Sequence, residues 1–200
     1  RVWPMAAFGI LHLAVGIGMT YGLIAGFFNR TVITAQHGLL EVVHEPLPWP
    51  GRRRLPADVL WLDIDYMDGF RLFTFSPAGF PDPRAFNDSL HALGFRSVWI
   101  VDPGVKRDPG YAVFQQGSAG DHWVKAADGQ DYVGRVWPGP CVFPDFTRAA
   151  TRAWWGGLVG GFAATGADGI WNDMNEPAIF DVDTKTMPET NRHRADAELG

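Results

Sequence analysis

A single cysteine, Cys141, stands in 200 residues, so no intrachain disulfide can form and thiol usage does not reveal the redox compartment. Free Cys usually acts as a small packing group, and no role is expected of it. No glycine-rich phosphate turn follows any apolar run, which removes the support for a nucleotide-binding sheet. His12, His37 and His44 have neither metal-ligand spacing nor carboxylate companions, so no metal site is read from them. A basic stripe is also lacking: the net charge is -5, and nucleic-acid binding is excluded on that ground. That charge is uneven. Residues 1–54 hold five Arg against two Glu, which leaves -8 for residues 55–200.

The two parts also differ in pattern. From Met5 to Phe28 there is no formal charge, and as a helix these 24 residues would reach about 36 Å, enough to cross a bilayer. Gly18, Gly22 and Gly26 repeat at every fourth position, as where membrane helices pack closely. The alternative is a buried soluble helix, although such helices are usually shorter. The arginines beyond it, Arg30 and Arg52 to Arg54, favour a cytoplasmic carboxyl side. Thr31–Thr34 and Leu39–His44 are expected to form a hairpin around Gln36-His37-Gly38, after which Pro46, Pro48 and Pro50 break regular structure. Asn87-Asp88-Ser89 fits a glycosylation sequon but falls inside an expected helix, so it is read as a chance match.

Residues 55–200 repeat one theme: a short apolar run that ends in an acid. Val59-Leu60-Trp61-Leu62 ends at Asp63, Val98-Trp99-Ile100-Val101 at Asp102, and Ile170-Trp171 leads to Asp173. Strands buried on both faces tolerate a charge only at the tip, so these are parallel-sheet strands with acids at one rim. Between the first two, Asp82 or Pro83 opens a helix with Phe86, Leu90 and Leu93 on one stripe, and Gly94 closes it. Between the second and third, Thr147 is the expected cap of a helix that carries Ala150, Trp154 and Leu158 and ends at Gly166. Strand, helix, strand, helix, strand selects an α/β fold with right-handed crossovers. The long connection 103–146 is expected to hold an excursion hairpin, in which Trp123–Ala126 and Tyr132–Val136 flank Asp128-Gly129 and bring Trp137 to the cleft.

Three blocks, Trp61-Leu62-Asp63-Ile64-Asp65-Tyr66-Met67-Asp68-Gly69, Val136-Trp137-Pro138-Gly139-Pro140 and Gly169-Ile170-Trp171-Asn172-Asp173-Met174-Asn175-Glu176-Pro177, resemble the α-glucosidases of glycoside hydrolase family 31. The resemblance runs from about Leu55 to the end; residues 1–54 faintly resemble short segments of uncharacterised bacterial membrane proteins, and a junction is expected near Arg54. It implies about three strand-helix units of a (β/α)8 barrel, a partial TIM barrel, since a whole one takes about 250 residues. It also implies retaining hydrolysis of an α-linked oligosaccharide or α-glucoside through a covalent glycosyl-enzyme, with no metal or organic cofactor. Asp173 matches the nucleophile and Asp63 an acceptor of sugar hydroxyls. Ile64, Trp137, Trp171 and Met174 match walls of the first sugar pocket. The family's acid/base Asp lies on a later strand, so this chain alone is expected to be inactive. A cytoplasmic hydrolase part is expected, membrane-associated through residues 5–28.

Other assignments compete. Asp65, Asp68 and Glu176 read as rim groups, and Asp102 as the residue that orients the Pro103-Gly104 turn. As a calcium loop the Asp63-x-Asp65-x-x-Asp68-Gly69 run fails, because Thr74 occupies the place of the closing Glu. As a phosphotransferase motif it lacks the Thr or Val expected after the second Asp. The alternative function is a membrane-tethered, non-catalytic carbohydrate-binding protein.

Overall fold

The computed structural model describes residues 3–36, 39–47, 53–56 and 58–196. The chain divides into two compact units, Arg1–Asp58 and Val59–Gly200.

In the first unit, the uncharged run forms helix α1, Trp3–Phe28. Val15, Ile17, Met19, Leu23, Phe27 and Phe28 are exposed on it. Among the described residues no helix is long and apolar enough to cross a membrane, which gives no support to the span expected over residues 5–28. Strands β1 (Arg30–Gln36) and β2 (Leu39–Glu45) pair antiparallel as expected, with Arg30 opposite Glu45 and joined to it at 3.0 Å. The turn residues His37 and Gly38 lie outside the described residues. One strand was not anticipated: β3 (Arg53–Pro56) lies beyond the prolines and pairs with β2, placing Arg54 opposite Glu41.

The second unit opens with strand β4 (Val59–Leu62), two short 3-10 turns (Ile64–Tyr66 and Asp68–Phe70) and helix α2 (Pro83–Ala92). Asp82 caps α2 by accepting the Ala85 N–H at 2.9 Å, and Gly94 takes the left-handed φ of +83° that ends the helix turn. Then follow β5 (Arg96–Val101), β6 (Val105–Lys106), helix α3 (Ala112–Ala119), β7 (Gly134–Val136), β8 (Gly139–Val142), helix α4 (Ala149–Ala163) and β9 (Gly169–Asn172). The parallel sheet runs β4-β5-β9. Thr147 is not the cap of α4. Its hydroxyl donates to Asp145 Oδ1 at 2.6 Å, while the Ala149 N–H that needs an acceptor finds the carboxylate of Asp196.

Side chains alternate across a strand, so register assigns the faces of this sheet. Leu62, Trp99 and Ile170 stand level, as do Trp61, Val98 and Gly169. The first row faces the helices: Trp99 is fully buried, with ring centroids 5.9 Å from Phe86 of α2 and 6.0 Å from Phe162 of α4. The second row faces the other way, where Trp61 and Trp171 meet edge to face at 5.8 Å. Trp154 and Trp155, which the sequence leaves as either core or surface residues of α4, are both half-buried and pack against the helix-side core. Asn87 is buried and holds Thr165 O and the Ser97 hydroxyl, so its sequon offers no free side chain for glycosylation.

The 103–146 connection builds a second, antiparallel sheet in the order β6-β8-β7. The expected hairpin is present only at its tip: the Tyr132 N–H donates to Val124 O and the Ala126 N–H to Gln130 O, with Gly129 at φ +86°. Beyond that tip the strand changes partner, and β7 pairs with β8. Helix α3 also went unanticipated; it has no side-chain cap and contains a glycine. That glycine is a packing requirement, because a Cβ on Gly117 would lie 2.1 Å from the ring of fully buried Trp123. Gly117→Ala should therefore cost about 1–3 kcal/mol of stability in a denaturant melt. An unchanged midpoint would mean that α3 and Trp123 do not pack this closely.

Candidate active site

Three carboxyls stand at the same ends of three adjacent parallel strands: Asp63 after β4, Asp102 after β5 and Asp173 after β9. Val101 pairs with Asn172, so one step on Asp102 is level with Asp173; Leu62 pairs with Trp99, so Asp63 is level with Ile100. All three acids continue the row of Trp61 and Trp171. Neighbouring strands lie about 4.8 Å apart, which brings acids and indoles to one rim on one face.

Asp173 is half-buried, and its Oδ1 accepts the Met174 N–H at 2.9 Å. Met174 takes φ +58°, turning the chain sharply away from the strand just after the acid. Asp63 is exposed; it caps the Ile64–Tyr66 turn by accepting the Ile64 N–H at 2.7 Å. Ile64 and Trp171 are half-buried and lean on the main core. Met174 leans on a second core that contains Val136, Cys141 and Ile179. Trp137 sits at the β7–β8 turn, 53% exposed, with its ring edge-on to Phe180 at 5.0 Å. Its ring makes no contact with the Trp61–Trp171 pair among the described residues.

The outer acids separate by their partners. Asp68 is tied to Arg71, whose guanidinium also holds Asp108 at 2.6 Å, as suits a rim group. That guanidinium holds the Asp108 carboxyl below the usual range. Asp65 is exposed. Glu176 lines a cavity of about 690 Å³ together with Pro103, Phe146, Asn175, Pro177 and His193. Among the described residues, no group of three or more His, Cys, Asp or Glu side chains is placed to hold a metal ion.

Asp102 departs from its expected part. It is only 5% exposed, and its Oδ1 has no hydrogen-bond partner, so it does not orient the following turn through that atom. Burial pushes its carboxyl up to about 7, and the charges of Asp173 and Asp63 push in the same direction. Around it, burial also raises the Tyr66 phenol, and the Cys141 thiol to about 12. Residue type alone hid this acid behind the turn-forming Pro103-Gly104. The informative pattern was parity, since Trp61, Asp63, Asp102, Trp171 and Asp173 share one face once the strands pair in register. The same pattern picks out Trp61, which is 63% exposed beside Trp171.

Comparison with known proteins bears on the same stretch. Residues 34–199 match the family described as glycosyl hydrolases family 31 TIM-barrel domain, starting upstream of the Leu55 suggested by the sequence blocks. Alpha-glucosidase 2 of Bacillus thermoamyloliquefaciens is 46% identical over 144 residues, which is 72% of this chain and 18% of that protein. The solved family 31 α-glucosidase from Bacteroides thetaiotaomicron is 55% identical with a TM-score of 0.59, covering 66% of this chain and 22% of that one. A solved glucosidase II α subunit is 39% identical with a TM-score of 0.64, covering 68% and 15%. The chain thus spans less than a quarter of the length of each relative named here. The strand-helix order, the acid-bearing rim and the match over residues 34–199 agree, and this chain belongs to glycosyl hydrolase family 31, within its TIM-barrel domain.

Proposed function

We propose that this chain supplies the nucleophile side of a retaining α-glycoside hydrolase of the α-glucosidase kind. The observation that carries this reading is Asp173, half-buried at the tip of β9 beside Trp171, with Oδ1 held by the Met174 N–H and Oδ2 accepting no bond among the described residues. A carboxylate oriented through one oxygen presents the other to an anomeric carbon. Attack there gives a covalent glycosyl-enzyme, and a second carboxylic acid protonates the leaving oxygen and later activates water. None of the described carboxyls is assigned to that second role. Asp63, exposed at the tip of β4 on the far side of β5, accepts sugar hydroxyls, while Ile64, Trp137, Trp171 and Met174 form apolar walls that suit the C–H faces of a pyranose. The substrate class is an α-linked glucoside or oligosaccharide, as the names of the relatives suggest.

The test is covalent trapping with an α-glucosyl fluoride that carries a second fluorine on the ring. Fluoride departs without needing a proton donor, and the ring fluorine slows release of the sugar. The expected result is a mass gain of one fluoroglucosyl group, mapped to Asp173 by peptide fragmentation. Attachment to any other side chain would sink the assignment. Glucose protection of tryptophan fluorescence without ester formation would instead mark a non-catalytic carbohydrate-binding protein.

A further inference from the structure

Of the three strand-tip carboxyls, Asp102 alone is shut away from solvent. It follows the central strand of β4-β5-β9, is 95% buried given its 5% exposure, and keeps Oδ1 unpartnered between tips that each carry another acid. An ionised carboxylate in such a place is costly, and like charges alongside raise that cost. The titratable groups around it bring no relief. The charges of Asp173 and Asp63 disfavour its ionised form, and the Cys141 thiol of β8 is held neutral by burial. The Tyr66 hydroxyl of the Ile64–Tyr66 turn donates to Ile100 O at 2.7 Å. Lys106 of β6, the cation that acts on Cys141, donates to Gly69 O at 2.9 Å.

We propose that Asp102 is a positioning residue for Asp173: it holds the proton of the strand-tip carboxyls, leaving Asp173 ionised, and releases that proton when Asp173 loses its charge in the glycosyl ester. The second clause rests on the nucleophile reading above; the first does not. As Asp173 bonds to the anomeric carbon, the leaving group departs with its bonding pair and the carboxylate becomes a neutral ester. Asp102 then faces one anion fewer, ionises more readily and gives its proton to water. Hydrolysis of the ester by water frees the sugar, restores the carboxylate and yields a proton, and Asp102 is protonated again. The direction of its titration agrees with this geometry, since burial and then the charges of Asp173 and Asp63 favour the neutral form. Interacting acids of this kind titrate as a coupled set.

The test is a carboxyl NMR titration of the full chain with isotope-labelled aspartate side chains. The Asp102 resonance is the one missing from both Asp102→Asn and Asp102→Glu chains, so identification survives if one variant folds poorly. Its midpoint is expected at about 7. Asp173→Asn should move that midpoint down towards the ordinary aspartate range, and Asp63→Asn should move it down by less. The fluoroglucosyl ester on Asp173 should reproduce the Asp173→Asn shift. An Asp102 midpoint in the ordinary range, or one indifferent to Asp173→Asn, would overturn the proposal. Failure to form the ester with the Asp173→Asn shift intact would strike the hydrolase reading and the proton release, and would support the proton-holding role.

Discussion

Asp173→Ala is expected to abolish covalent labelling by the fluorinated α-glucosyl fluoride, a loss of about 10⁴-fold or more in rate, the scale that goes with removing a catalytic nucleophile, the part proposed for Asp173. The fold should barely register the change. Asp173 is half-buried, and its side chain accepts one hydrogen bond, from the Met174 N–H, which is worth about 1 kcal/mol. Against that loss stands a gain, because one of the charges that disfavour ionised Asp102 has gone. The thermal midpoint is therefore expected within about 4 °C of the parent chain. Circular dichroism melts run beside the labelling reaction check both halves. Loss of label together with collapse of the melt would make Asp173 a structural residue, contrary to what its partners indicate.

The second large effect is on stability. Trp99→Ala should cost about 3–5 kcal/mol, the range for removing a large aromatic from a packed core. Trp99 is fully buried, and its ring meets Tyr66, Phe75, Phe80, Phe86 and Phe162 with centroids 4.9 to 6.0 Å away. Its Nε1–H donates to the Ser97 hydroxyl at 2.9 Å, which in turn donates to Asn87 Oδ1 at 2.7 Å. Alanine would leave a void in the middle of five rings and a buried hydroxyl short of one partner. Trp99→Phe refills most of the void and should recover more than half of the loss. The site should suffer too, because Ile100 and Asp102 follow on the same strand. A denaturant midpoint for Trp99→Ala within error of the parent would contradict the packing described.

The strands of the parallel sheet were legible because each is a compact apolar run closed by an acid, and helix α2 because Asp82 and Gly94 mark its ends locally. The start of α4 was not legible: Asp196, its cap, lies 47 residues away in sequence, and no local pattern announces such a partner. Helix α3 was missed for a related reason, having no side-chain cap and a glycine whose purpose is the Trp123 ring. Strand β3 hid behind prolines that stop before it begins. In the site, Asp63 and Asp173 stood out as acids at the ends of apolar runs. Asp102 had the same signature, but the Pro-Gly that follows it offered a simpler explanation, and only strand pairing set it between two other acids.

The alternating faces of this sheet bear on how the chain can change length. Adding one residue between Val98 and Trp99, with the strand before it held in register, would turn the Trp99 indole to the rim face and Asp102 to the helix face, exchanging the dry and wet sides at a stroke. Growth is thus barred from the strands and diverted to the turns beyond their tips. The 103–146 stretch, with its own small sheet, occupies such a place: length added there enlarges the surroundings of the site without moving its floor.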